Sequence, residues 1–253
     1  VAAWYDRLVG EAGSDYHRNV IIPGALRLLG PAGGLRIIDI ACGQGVFCRE
    51  LARQGAAAVL GVDASSRLID AARRHGSAPG VRYAVGDARK LDPLADGAFD
   101  AAVCLMALQD IDDVPAVFAE MARALRPAGR AVVVMMHPCF RVPRQSTWGW
   151  DEQKKLQYRR IDAYATPNAI PIATHPGSEP GQHTTFFHRP LADYINAMAA
   201  AGMAVTACEE LLSHRVSEPG GRSRGENRAR REFPLFLAMR AVKLVPPAQA
   251  ARP

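Results

Sequence analysis

The stretch Ile37-Ile38-Asp39-Ile40-Ala41-Cys42-Gly43-Gln44-Gly45, continued by Val59-Leu60-Gly61-Val62-Asp63, decides the fold. It reads as a buried strand, a glycine turn, a helix and a second strand that ends in a carboxylate. In an open parallel sheet the first turn needs glycines so that backbone can approach a ligand, and an acid about 20 positions on takes ribose hydroxyls. Asp63 follows Gly45 by 18 residues. The pattern is that of a nucleoside-binding half-fold.

The rest of the turn bears on the cofactor. A dinucleotide site wants a third glycine where strand and helix pack closely, and here that position is Cys48. Asp39 at the strand end would repel a pyrophosphate and suit a ligand with an ammonium group. S-adenosylmethionine carries an ammonium, a sulfonium and an adenosine.

On these residues the chain resembles the class I S-adenosylmethionine-dependent methyltransferases of the small-molecule type, over roughly residues 35–137 and with several motifs in order. Asp39 to Gly45 matches the family's first motif, with Ala41 in place of its first glycine. Asp63 matches the ribose-binding acid. Gly86-Asp87-Ala88 matches the motif whose Asp side chain and following amide contact adenine. Phe99 to Met106 resembles the fourth strand, and Leu125-Arg126-Pro127-Ala128-Gly129-Arg130 the turn before the fifth. The resemblance implies S-adenosylmethionine as cofactor, S-adenosylhomocysteine as product, and cofactor contacts from Tyr16, Asp39, Ala41, Cys42, Gly43, Gly45, Asp63, Ala64, Asp87, Ala88 and Met106. A lone Gly-x-Gly marks only a tight turn; the ordered set is what carries the reading. Asp100 and Asp112 read as structural, the first opening a strand and the second capping the helix of Val114 to Leu125.

The remaining pattern fits an α/β, Rossmann-like, doubly wound sheet. Strands near 35–41, 57–63, 80–85, 98–105 and 130–137 alternate with helices near 45–54, 65–75 and 113–126, and residues 18–30 look helical. The resemblance adds two strands near 204–210 and 234–242, giving seven in all, mostly parallel with an antiparallel last strand. Ligands in such sheets sit outside the carboxyl ends of the strands where the winding reverses, so Asp39, Asp63, Asp87 and Met106 are expected to converge on one crevice.

The chain of 253 residues can form a single domain, 1–253. It has no apolar run of 18 residues and no signal-peptide pattern, which places it in the cytoplasm with no membrane partner. Its first residue is Val, which suggests that leading residues are missing. Five cysteines form no Cys-x-x-Cys pair, and free thiols are expected. Of the net charge of +6, the run Arg222 to Arg231 supplies +4. That cluster faces either nucleic acid, an anionic substrate, or solvent as a hairpin loop with arginines paired to carboxylates.

Residues 138–189 are the distinctive part. They hold Trp148, Trp150, Tyr158, Tyr164, Phe186 and Phe187 with prolines at six positions and little regular periodicity. A long connection in a compact domain is usually a lid or binding loop, and its aromatics argue against disorder. We read 138–189 as an inserted cap between strand 5 and the next helix, near Pro190, that covers the acceptor, with Trp148, Trp150, Tyr158 and Phe186 as its walls. The same aromatic surface would alternatively serve a homodimer. Residues 1–34 read as an N-terminal helical cap, in which Trp4, Tyr5, Tyr16 and His17 could shield the cofactor; His17 is assigned to the substrate.

Methyl transfer is an in-line displacement at the sulfonium methyl, so a nucleophile must be held close and aligned, and a weakly acidic hydroxyl must also lose its proton. His137, at the expected carboxyl end of strand 5, is the first choice of base and His188 the second. No zinc-type ligand spacing is present, so no metal is assigned. The expected activity is S-adenosylmethionine-dependent methyl transfer to an O, N or C atom of a small organic acceptor in secondary metabolism. The alternatives are an RNA methyltransferase using the 222–231 arginines, which a wider track of basic residues would favour, or a cofactor-binding protein of this fold that no longer transfers methyl groups.

Overall fold

The strand that the first motif opens, β1 (Arg36–Ile40), is apolar along almost its whole length because it lies mid-sheet with both faces covered: Ile37, Ile38 and Ile40 are fully buried. In the computed structural model, which describes residues 10, 13–76, 78–173 and 183–245, β1 pairs in parallel with β2 (Ala58–Asp63) on one side and β4 (Phe99–Leu105) on the other. Beyond β2 lies β3 (Val81–Val85), and beyond β4 lies β5 (Leu125–Met136). Two late strands, β10 (Met203–Leu211) and β11 (Phe236–Lys243), complete a sheet of order β10-β11-β5-β4-β1-β2-β3. Only β11 runs against the rest: it is antiparallel to both β5 and β10. The winding reverses between β1 and β4, so the crevice opens there.

Helices cover both faces. On one, α1 (Ile22–Leu29) and α2 (Val46–Arg53) bury Leu28, Leu29, Phe47 and Leu51 against β1, β4 and β5. On the other, α4 (Val114–Ala124) and α5 (Leu191–Ala200) bury Phe118, Met121, Tyr194 and Met198. A π-helical turn, His17–Ile21, leads into α1, and α3 (Ser66–Arg74) is capped by Ser65, whose side chain accepts from Leu68 N. Asp113, not Asp112, caps α4, accepting from Ala116 N at 3.0 Å; Asp112 instead pairs with Arg89. Asp100 is structural as expected, accepting from Arg36 N and Arg126 Nε. The stretch read as the turn before strand 5 is a bulge within β5, between the pairs Phe99–Leu125 and Ala101–Arg130, with Ala128 at φ 61°.

Residues between β5 and α5 form two antiparallel hairpins, β6 (Ser146–Asp151) with β7 (Leu156–Ile161) and β8 (Asn168–Ala173) with β9 (His183–His188). The 222–231 run is not a hairpin loop. It is α6 (Ser223–Glu232), an amphipathic helix whose inner face consists of Gly225 and Ala229 and lies on the first hairpin; a Cβ at Gly225 would stand 2.6 Å from Lys155 O and 2.7 Å from the Trp150 ring. Among the described residues no helix is long and apolar enough to cross a membrane.

Candidate functional site

The glycine turn after β1 wraps a pair of carboxylates. Asp39, at 2% exposure, accepts a hydrogen bond from the Cys48 thiol at 3.2 Å, so the residue standing where a dinucleotide site has glycine anchors the strand-end acid. Burial pushes the Asp39 carboxyl up to about 7, and neighbouring Asp63 adds to the effect. Asp63 closes the adjacent strand. Its two oxygens accept from Gly43 N and Ser65 N, each at 2.8 Å, which fixes its rotamer and ties β2 to the turn. Burial raises its pKa while those two amides oppose the rise.

Three successive departures from ordinary backbone shape the turn: Ala41, Gly43 and Gly45 have φ of 57°, 57° and 76°. For Ala41 that left-handed conformation carries a Cβ clash that glycine would avoid, the physical reason the family motif has glycine there. Gly45 is required for a second reason, since a Cβ there would lie 2.4 Å from Tyr83 Oη.

His17, Ile22, Asp39, Ala41, Cys42, Gln44, Val46, Phe47 and Leu105 line a cavity of about 30 Å³ at this point. Gln44 is buried; its amide nitrogen donates to Gly10 O at 2.5 Å and its Oε1 has no partner among the described residues. Thus an unpartnered amide oxygen and a buried carboxylate share one cavity, and no cation among the described residues faces Asp39. That pair of acceptors fits a ligand presenting an ammonium or sulfonium. His17 holds Ser14 Oγ with Nδ1 at 2.7 Å, and burial lowers its pKa, which keeps the imidazole neutral.

Ala64, Asp87, Ala88 and Met106 follow the ends of the neighbouring strands β2, β3 and β4 and are not among the residues that line this cavity. Ala64 links Asp63 to the Ser65 cap, and Ala88 is buried. Asp87, at the end of β3, is half exposed and its carboxylate is engaged by Arg89, whose guanidinium also reaches Asp112. Met106 ends β4 at φ 58°, donating to Val134 O at 2.6 Å and accepting from Gln109 Nε2 at 2.5 Å. Gln109 is itself buried, with Oε1 unpartnered among the described residues. The sequence reading overlooked Gln44 and Gln109; their only signal was an amide inside, or three residues past, an assigned motif.

Several expected residues are held elsewhere. Tyr16 turns away from the cavity, its ring edge-on to Phe236 and His214 and its hydroxyl 3.3 Å from Ser213 Oγ. His137 is buried with both nitrogens engaged: Nδ1 accepts from Cys139 N at 3.2 Å and Nε2 donates to Glu210 Oε1 at 3.0 Å. His188 donates Nε2–H to Tyr164 O at 2.7 Å, pinning β9 to the preceding loop. Neither ring lines the cavity, which His17 does. Trp148 packs edge-on to Phe233 and under Arg159, Trp150 lies beneath Arg222 and against α6, and Tyr158 covers Gly149. The walls expected of the first hairpin are therefore a packing surface for α6, because Trp148 and Trp150, two residues apart, project from the same face. Phe186 is buried opposite Ile170 in the second hairpin. Trp4 and Tyr5 lie outside the described residues.

The sequence model of a methyltransferase domain family matches residues 38–133. A crystal structure of an S-adenosylmethionine-dependent methyltransferase from Mesorhizobium loti is 30% identical, with a TM-score of 0.70 over 87% of this chain and 96% of that one. A ubiquinone biosynthesis O-methyltransferase from Sinorhizobium medicae is 30% identical over 176 residues, 66% of this chain and 68% of its own length. A demethylmenaquinone methyltransferase from Beutenbergia cavernae is 31% identical over 151 residues, 60% of this chain; the match spans 58% of that relative. Fold, turn and carboxylate pair define a nucleoside-cofactor protein of the doubly wound class. The chain belongs to the class I S-adenosylmethionine-dependent methyltransferases.

Proposed function

We propose that this protein transfers a methyl group from S-adenosylmethionine to an O, N or C atom of a small organic acceptor, in the cytoplasm and in secondary metabolism. The observation that carries the reading is the cavity lined both by buried Asp39, next to Asp63, and by Gln44, whose Oε1 has no partner among the described residues. In this reading Asp63 accepts the ribose hydroxyls, Asp87 and the Ala88 amide take the adenine edge, and Asp39 with Gln44 receives the ammonium end. The cofactor supplies a methyl on a sulfonium, open to in-line attack. The chain's own work is alignment and exclusion of water, which contribute most when reacting atoms are held close.

His17 is the imidazole we assign to the acceptor's proton. It lines the cavity, its Nε2 has no partner among the described residues, and its lowered pKa leaves it able to accept. His137 and His188 then serve as anchors of the β5 end and of the second hairpin. The names of two relatives above, a ubiquinone biosynthesis O-methyltransferase and a demethylmenaquinone methyltransferase, support a small acceptor over a nucleic acid. The test is label transfer from methyl-labelled S-adenosylmethionine to a panel of hydroxylated aromatic and amine acceptors. A labelled small-molecule product supports the reading; label transfer to RNA alone contradicts it.

A further inference from the structure

The side chain in the middle of the glycine turn has two ends with two different neighbours. Gln44, at 1% exposure, is fixed through its backbone, whose carbonyl accepts from Arg49 Nη1 at 2.7 Å. Its amide meets Gly10 O at 2.5 Å. A carbonyl can only accept, so the nitrogen faces Gly10. Oε1 is the end left over, buried and without a partner among the described residues, on a residue that lines the cavity. A buried acceptor without a donor is costly, and a ligand that donates to it removes the cost.

Gly10 lies ahead of His17, the imidazole in the same lining. The residues leading into His17 sit close against the cavity wall: a Cβ at Gly13 would stand 2.8 Å from His17 Cβ and 3.3 Å from Cγ1 of Val46, the first residue of α2. Ser14 Oγ holds His17 Nδ1 at 2.7 Å, and Ser14 O accepts from Arg18 N at 3.0 Å. Among the described residues, the hydrogen bond that joins this stretch to the glycine turn is the one from Gln44. The cavity's volume of about 30 Å³ is far below the roughly 300 Å³ or more that a cofactor-sized ligand fills, so part of its wall moves when such a ligand enters. Asp39, Val46 and Leu105 are fixed within strands and a helix, whereas Gly10, Gly13 and Ser14 belong to neither.

We propose that Gln44 is a positioning residue that couples cofactor binding to the seating of His17. With Oε1 met by the ammonium of the cofactor, Nε2 holds Gly10 O, and the stretch so anchored sets His17 against the occupied cavity. That the donor is this ammonium rests on the methyl-transfer reading above. An amide bonded at both ends has one orientation, and each bond polarises the other. A ligand that brings no donor leaves Oε1 unpaired and the anchor weak.

Hydrogen exchange over residues 13–18, read by mass spectrometry, tests the coupling with two ligands at saturation. One is S-adenosylhomocysteine; the other is methylthioadenosine, which keeps the adenosine and the sulfur but has no ammonium. In the wild type S-adenosylhomocysteine is expected to slow exchange at least tenfold and methylthioadenosine less than threefold. Gln44→Leu is expected to bind S-adenosylhomocysteine about tenfold more weakly and, once saturated, to show less than threefold slowing. Unchanged exchange of the buried β4 amides reports that the variant is folded, and the comparison of the two ligands in the wild type stands without it. Equal slowing by both ligands in the wild type overturns the coupling, as does tenfold slowing that survives in Gln44→Leu. Binding of S-adenosylhomocysteine without any slowing also overturns it and leaves the cofactor reading standing, whereas no binding by the wild type overturns both.

Discussion

Asp39 ties stability and ligand binding to pH in opposite senses. Its folded-state pKa of about 7 stands against an ordinary 3.8. The folded chain therefore keeps a proton that the unfolded chain gives up, and without ligand its stability falls as pH rises from about 4 to 7, then levels. At roughly 1.4 kcal/mol for each factor of ten in proton affinity, the cost above pH 7 reaches at most about 4 kcal/mol. Asp39→Asn carries no such cost. By denaturant titration it is expected to match the wild type near pH 4, to exceed it progressively up to about pH 7, and to keep that margin at pH 8. A ligand that presents an ammonium group to Asp39 reverses the balance, because the ionised carboxylate attracts that group more strongly than the protonated one. Wild-type affinity for S-adenosylhomocysteine, measured by calorimetry, is expected to rise about tenfold per pH step between 5 and 7. In Asp39→Asn it is expected to be weaker by about 2–4 kcal/mol at pH 7.5 and flat below 7. A wild-type affinity that ignores pH, or an Asn variant less stable than wild type at pH 8, would refute this reasoning.

Ala41→Gly is expected to raise stability by about 1 kcal/mol, since φ 57° strains an L-residue and not glycine; thermal or denaturant unfolding measures it. His17→Ala is expected to lower the single-turnover rate on a hydroxyl acceptor at saturating cofactor by about 10²–10⁴, and to weaken cofactor binding as well, since His17 lines the cavity assigned to the ammonium end. His137→Ala, by contrast, is expected to cost about 1–3 kcal/mol of stability by emptying a buried site and removing the acceptor of the Cys139 amide, with little change in that rate; rapid quench and denaturation separate the two. RNA affinity is expected to be weak at physiological salt and to fall steeply as salt rises, because the exposed arginines of α6 offer phosphate contacts and no base readout. A tight, salt-resistant preference for one RNA in a gel shift would count against the small-acceptor reading.

The sheet was legible because its central strands are apolar runs punctuated by glycine turns and closed by acids: β1 with Asp39, β2 with Asp63, and the Gly86-Asp87 step. Those residues also carried the cofactor reading, since local backbone geometry dictates them. The α6 helix was hidden because its buried face is Gly225 and Ala229, too small to register as an apolar stripe, and its arginines read as a solvated turn. The hairpins were obscured by prolines; Pro171 sits inside β8, tolerated in an isolated two-stranded sheet where one edge is unpaired. The roles of His137 and the first hairpin's aromatics depend on partners far along the chain, Glu210, Phe233 and Arg222, which no local pattern announces.

The central claim rests on the pair Asp63 and the glycine turn, and titration of S-adenosylhomocysteine against NAD, into wild type and Asp63→Ala, tests it most directly. The wild type is expected to bind S-adenosylhomocysteine in clear preference to NAD. The variant is expected to lose about 2–4 kcal/mol of that affinity, as the ribose hydroxyls lose their acceptor and Gly43 N and Ser65 N lose theirs. Preference for NAD, or an affinity unchanged in Asp63→Ala, would contradict it.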